Sequence, residues 1–386
     1  MVFKGGMEAG LYLSLLLLLF VPSLPLFAQG AGPLLTLLFW LLLMLVARPF
    51  PYVHYPWNTT ILLLNVWCWL SLTWSVDPST TLGYCIIVSG ASLLIVALSS
   101  SLLSKGFKIR FLVALMLAGV YLSIGSFNEE FSHLIYIISG EFFSPEMLLF
   151  RTANVSRISG SIGGPNTIGG VMALLIPLLI ALACYGFPLR KKYSWKKNGF
   201  HGFMIVFMLA LSLIFFNTLV LSFSRGAFLG LLASFATLMM IPRNWVQNLN
   251  IALLFIILYM LPEVRSEALR FYENTVDETR YIIFQNSWQL AWLVPFTGFG
   301  LGAFLLAYET YFEASFIHAH QLYLNVMVEL GLPGVLLVLA LSFQFIFHGI
   351  RYILSTRNDS FSYAFKAGLL ALFVSLLARC LVDFTL

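Results

Sequence analysis

The residue types best suited to acid–base chemistry gather in one segment, Phe316-Ile317-His318-Ala319-His320-Gln321-Leu322-Tyr323-Leu324-Asn325-Val326-Met327-Val328-Glu329-Leu330-Gly331-Leu332-Pro333-Gly334, where two histidines and a carboxylate precede a long apolar run. An imidazole ordinarily titrates near pH 6.5, which suits it to take a proton from a hydroxyl at neutral pH. A helix over Gln321–Glu329 would put Tyr323 and Leu324 on the face of His320, and the Gly331–Gly334 turn would end that helix before the apolar span. On spacing alone, a solvated loop histidine beside a membrane helix is the ordinary explanation. The other candidate groups are cationic: Arg225 in Ser224-Arg225-Gly226-Ala227, Arg280 before the Trp288 and Pro295-to-Gly302 stretch, and Arg157 upstream of Asn166. A guanidinium fork matches phosphate and diphosphate oxygens, whereas an ammonium acts as a point charge.

The chain must hold these groups in a membrane. Of its 386 residues, 60% are hydrophobic, 16% aromatic and only 10% charged, with a mean hydropathy of +0.93. That leaves too little polar surface to enclose a soluble core. The fold class expected is all-α, a polytopic membrane bundle of about 11–12 helices, with spans near 9–28, 32–47, 59–75, 82–103, 110–127, 166–187, 203–222, 226–242, 249–262, 332–350 and 364–384. The first span is read as retained, because the next follows too closely for a cleaved leader. Polar insertions at about 128–165 and 263–331 belong to the same single membrane domain. Cys68, Cys85, Cys184 and Cys380 sit in or at the ends of apolar runs with no paired spacing, so they read as packing residues.

Charge divides between the two sides. With the N-terminus inside, every lysine falls in a cytoplasmic loop, notably Lys191, Lys192, Lys196 and Lys197, while the external set, Arg151, Arg157, Arg225, Arg265, Arg270, Arg280 and Arg379, is arginine alone. The positive-inside bias therefore orients the chain N-in, with both insertions and the C-terminus outside. Arg265 and Arg270 lie among local carboxylates and read as a solvated helix. Arg225 begins a descending helix, where its charge adds to the positive end of the helix dipole, although a snorkelling arginine explains it as readily. The small residues Gly226, Ala227 and Gly230 would admit another backbone at close range. Arg280 opens an apolar, Trp-containing piece that reads as an interfacial helix followed by a glycine-rich loop. Asn166 reads first as the cap of the helix after it.

The sequence holds no phosphate-binding glycine loop of the nucleotide-binding type, no dinucleotide fingerprint, no metalloprotease helix motif and no Asp-x-Asp pair. Nothing suggests nucleic-acid binding. Charge inside the spans is nearly confined to Arg379 and Asp383, which weighs against an ion-coupled transporter.

Ser224-Arg225-Gly226-Ala227, Arg280 with the Trp288 and Pro295-to-Gly302 stretch, and His320-Gln321-x-Tyr323-Leu324 running to Glu329-x-Gly331-Leu332-Pro333-Gly334 together resemble the O-antigen ligase and O-antigen polymerase family of bacterial membrane glycosyltransferases. The likeness covers the C-terminal two thirds, from about Arg157. It departs at Gln321, where asparagine is common, and at Thr279, where a small residue often precedes the arginine. The resemblance implies a multi-pass protein of the bacterial inner membrane, N-terminus cytoplasmic and active site facing the periplasm, with membrane lipids as its surroundings. It implies transfer of a glycan from undecaprenyl diphosphate, with no metal, nucleotide or other cofactor. His320 would be the general base and His318 a second candidate. Arg225 and Arg280 would bind the diphosphate as it leaves, and Arg157, Asn166, Gln321 and Tyr323 would line a substrate groove. Attack opposite the leaving group would invert the anomeric centre.

Three activities fit these residues. A ligase would attach finished polysaccharide to lipid A-core, and a polymerase would use a second lipid-linked glycan as acceptor. A transporter or lipid flippase would place its polar groups near the midplane of broken helices, whereas here they gather at the outer surface.

Overall fold

The computed structural model describes residues 56–99, 113–114, 116–124, 164–187, 195–222, 224–241, 278–355 and 359–382. Every regular element among them is a helix: α1 (Pro56–Ser71), α2 (Pro78–Ser99), α3 (Pro165–Ala181) running into a π-helical turn (Leu182–Gly186), α4 (Trp195–Ser222), α5 (Arg225–Met240), α6 (Glu278–Leu293), α7 (Phe304–Phe312), α8 (Leu322–Ser355) and α9 (Ser360–Arg379), with a further helical stretch over 116–124. Among the described residues, four segments are long and apolar enough to cross a membrane: Pro165–Gly186, Asn198–Ser222, Leu322–Ser355 and Ser360–Arg379. The all-α membrane fold expected from composition is therefore the one observed. The expected spans at 9–28, 32–47 and 249–262, and the 128–165 insertion with Arg157, lie outside the described residues except for its last two positions.

The described elements belong to two compact units. In the second, α3, α4, α5 and α9 pack together around buried Met172, Leu179, Phe215, Leu219 and Leu238. Gly230 of α5 lies against the backbone of Ser375 in α9, the close approach expected of its small-residue run. Ser224 caps α5 by accepting the Ala227 N–H at 3.4 Å. Asn166 does not cap α3. The helix starts one residue earlier, with Pro165 in its first turn and Gly164, which has no side chain, at the cap. Proline suits that position because its missing N–H would have had no helical partner. Asn166 instead offers its backbone carbonyl to the buried Arg379 guanidinium at 2.9 Å.

The first unit contains α1, α2, α6, α7 and the larger part of α8. Helix α1 runs antiparallel to α8. Trp57 stacks on Phe345 at its start, Thr60 donates to Gln344, and further along the Trp67 indole donates to the Leu330 carbonyl at 2.8 Å. The Gly331–Gly334 turn does not end the helix, contrary to expectation. Gly331 breaks it locally, at φ 66° and ψ −170°, and α8 resumes immediately and continues to Ser355. The break frees backbone groups that a continuous helix would pair. Pro333 has no N–H, and Leu332 N–H donates to the Pro295 carbonyl, so the carbonyls of Val328 and Glu329 accept from Phe299 and Gly300 instead. The Pro295–Gly302 loop is thus bonded into the notch. Gly298, at φ 67°, fits there because a Cβ would lie 2.4 Å from the Glu329 backbone.

Candidate active site

The notch fixes the register of what precedes it. One buried core joins Ile283 and Leu290 of α6, Phe304, Ala307 and Tyr308 of α7, and Leu324 and Val328 of α8, and it also takes in Ala319. The helix bearing Arg280 and the loop bearing His318 and His320 therefore share one apolar foundation. Phe316 packs edge-on against Tyr308 at 5.4 Å, and the Tyr308 hydroxyl accepts from Asn286 at 2.9 Å. Ala319 is buried between two partly exposed histidines, so the loop is anchored at its middle while the two imidazoles come together beside it.

His320 lies outside the helix, so the shared helical face expected for His320, Tyr323 and Leu324 does not form. Helix α8 begins at Leu322, and His320 takes a left-handed backbone conformation at φ 56°. Histidine tolerates this region better than most residues, but for a side-chain-bearing residue it typically costs about 1–3 kcal/mol. Surrounding contacts hold it there. The Gln321 side chain accepts the Leu324 N–H at 2.9 Å, Leu322 N–H donates to the Cys380 carbonyl at 2.9 Å, and Ala319 N–H donates to the Asn325 side-chain oxygen at 3.1 Å. The His318 and His320 rings stand 4.4 Å apart, centroid to centroid, tilted by 46°.

His318, His320, Gln321 and Tyr323 thus meet at one loop–helix junction. Arg280 is partly buried in the first turn of α6, in the same unit. Beyond it α6 exposes an aromatic face with Tyr281, Phe284, Trp288 and Trp292, the last two edge to face at 5.8 Å. A helix followed by a glycine loop is what the sequence led us to expect there. Arg225 and Asn166 belong to the other unit, where Arg225 is partly buried in the first turn of α5.

Two residues went unassigned in the sequence although their spacing was visible. Asn325 and Glu329 are four apart on α8 and both are buried. The Asn325 side chain donates to the Glu329 carboxylate, which also receives the backbone N–H groups of Gly302 and Phe304. An i, i+4 polar pair inside an apolar helix start was the signal for them. None of the four cysteines forms a disulfide, and Cys68, Cys85 and Cys380 are buried.

These features define a class: an all-helical membrane protein whose histidine-bearing loop and arginine-bearing helix are set on one core beside a kinked membrane helix. Residues 209–339 match the family model described as O-antigen ligase. Over that stretch, which is about a third of the chain, the sequence is similar to the family that the motifs resemble. The match encloses Arg225, Arg280, His318, His320, Gln321 and Tyr323, and leaves out Arg157 and Asn166. No curated protein matches the chain.

Proposed function

We infer that the protein is an inverting glycosyltransferase that moves a glycan from undecaprenyl diphosphate to an acceptor hydroxyl on the periplasmic face of the inner membrane, acting as an O-antigen ligase on lipid A-core. The observation that carries this is His320 itself, held in a left-handed turn within a stretch that matches the ligase family. In the reaction, His320 takes the proton of the acceptor hydroxyl as its oxygen bonds to the anomeric carbon. The bond from that carbon to the diphosphate breaks, and the electron pair leaves with the diphosphate. Arg225 and Arg280 act on the departing charge, a task suited to fixed guanidinium donors in a water-poor site. Gln321 and Tyr323, at the same loop–helix junction as His320, flank the acceptor.

Deleting the gene and analysing surface polysaccharide tests this reading. Long chains left unattached to lipid A-core are expected. Single repeat units on core would instead identify a polymerase extending lipid-linked repeats, and unchanged polysaccharide would reject both. Arg225→Lys and Arg280→Lys, each made alone, keep the charge and lose the fork. Each should lower donor use substantially in a purified transfer assay without loss of expression. Wild-type turnover in both would remove the diphosphate role.

A further inference from the structure

We propose that Asn325 and Glu329 are positioning residues that fix the His318–His320 loop, and with it the base, through a single directed chain of hydrogen bonds. This rests on the assignment of His320 as the base. The chain begins at the turn into α7, where the backbone N–H groups of Gly302 and Phe304 donate to the Glu329 carboxylate, and the Asn325 side chain donates to the same carboxylate. The Asn325 oxygen then accepts the N–H of Ala319, at 3.1 Å, between the two histidines.

The direction of the chain is set at its loop end. A backbone N–H can only donate, so the bond from Ala319 fixes the Asn325 oxygen toward the loop and leaves its NH2 for Glu329. Both side chains are almost entirely buried, Asn325 at 4% and Glu329 at 8% exposure, so water does not compete for these bonds. Buried polar chains of this kind fix one geometry when every member is satisfied. The residue at the far end of the chain is followed by His320, the left-handed residue whose conformation needs external support. The N–H groups of Phe299 and Gly300 bond the Pro295–Gly302 loop to the carbonyls of Val328 and Glu329, so the notch in α8 and the start of the chain are anchored together.

A swap of the two functional groups tests the proposal. Asn325→Asp sets two carboxylates facing each other, and Glu329→Gln sets two NH2 groups facing each other. The double variant restores a donor–acceptor pair, because the amide introduced at position 329 would donate to the carboxylate introduced at position 325 while each still accepts its backbone N–H. Each single variant should lower kcat by about tenfold to a hundredfold, the scale expected when a reacting group shifts by about an ångström, with the KM for lipid-linked donor little changed. The double variant should recover most of the loss. Adding Asn325→Asp to His320→Ala should cost nothing further, since a positioning residue acts only through the base. A double variant no better than the worse single variant, or an additive loss on top of His320→Ala, would overturn the positioning role. If His320→Ala is itself fully active, the base assignment fails. If His320→Ala is dead while both single variants turn over normally, the positioning chain alone fails.

Discussion

Purified His320→Ala protein is expected to insert, remain folded and bind the lipid-linked donor while losing transfer by about 10²–10⁴-fold, the usual cost of removing a general base. An imidazole serving only as a structural contact would behave differently, its loss lowering stability by about 0.5–1.5 kcal/mol with turnover retained. Gln321, Leu322 and Ala319 make the bonds that hold the turn, through the Leu324 N–H, the Cys380 carbonyl and the Asn325 side chain, and none of these involves the imidazole. His318→Ala should be milder, although its ring lies only 4.4 Å from that of His320, centroid to centroid. A metal chelator should leave the wild-type rate unchanged. Turnover measured for the two variants decides the assignment. A dead His318→Ala beside an active His320→Ala would exchange the two roles, and normal turnover in both would end the base mechanism.

The parts of this site legible in the sequence are those written in residue type. Composition gave the membrane fold, and the His320-to-Gly334 motif located the loop–helix junction. Geometry carried by the backbone was not legible. Spacing put His320 on the helix, but the helix begins two residues later because the Gln321 side chain takes the Leu324 N–H and His320 turns left-handed ahead of it. Gly331 and Pro333 together read as a helix stop. They act as a break within a continuing helix because the Pro295–Gly302 loop, about thirty residues earlier in sequence, supplies the missing hydrogen-bond partners. Asn166 reads as a cap by residue type, but Pro165 before it is already the first helical residue and moves the cap back to Gly164. The Asn325–Glu329 pair needed tertiary context, since nothing local says that a buried carboxylate finds the N–H groups of Gly302 and Phe304.

Gly331→Ala is expected to be the more damaging change to the fold, lowering stability by about 2–6 kcal/mol. Two separate penalties add. The backbone at φ 66° and ψ −170° lies in a region that is essentially open to glycine alone, typically worth about 1–3 kcal/mol against any side chain. A Cβ there would also meet the Phe296 carbonyl carbon and oxygen at 2.5 Å and the Pro295 oxygen at 2.9 Å. Both neighbours are backbone, so no rotamer change relieves the overlap, and overpacking of this kind costs about 1–3 kcal/mol. The chain's escape is to straighten α8 or lift the loop, and either movement breaks the bonds from Phe299 to Val328, Gly300 to Glu329 and Leu332 to Pro295. Gly83→Ala is the matched control, because a Cβ there meets nothing within 4 Å and alanine favours the helix. Thermal unfolding in detergent should show Gly83→Ala unchanged or slightly raised and Gly331→Ala far below wild type. Transfer should fall with Gly331→Ala even at temperatures where it stays folded, since a displaced loop takes Gly302 and Phe304 away from Glu329. A Gly331→Ala protein with a wild-type melting point would mean that the break in α8 is not required by the fold.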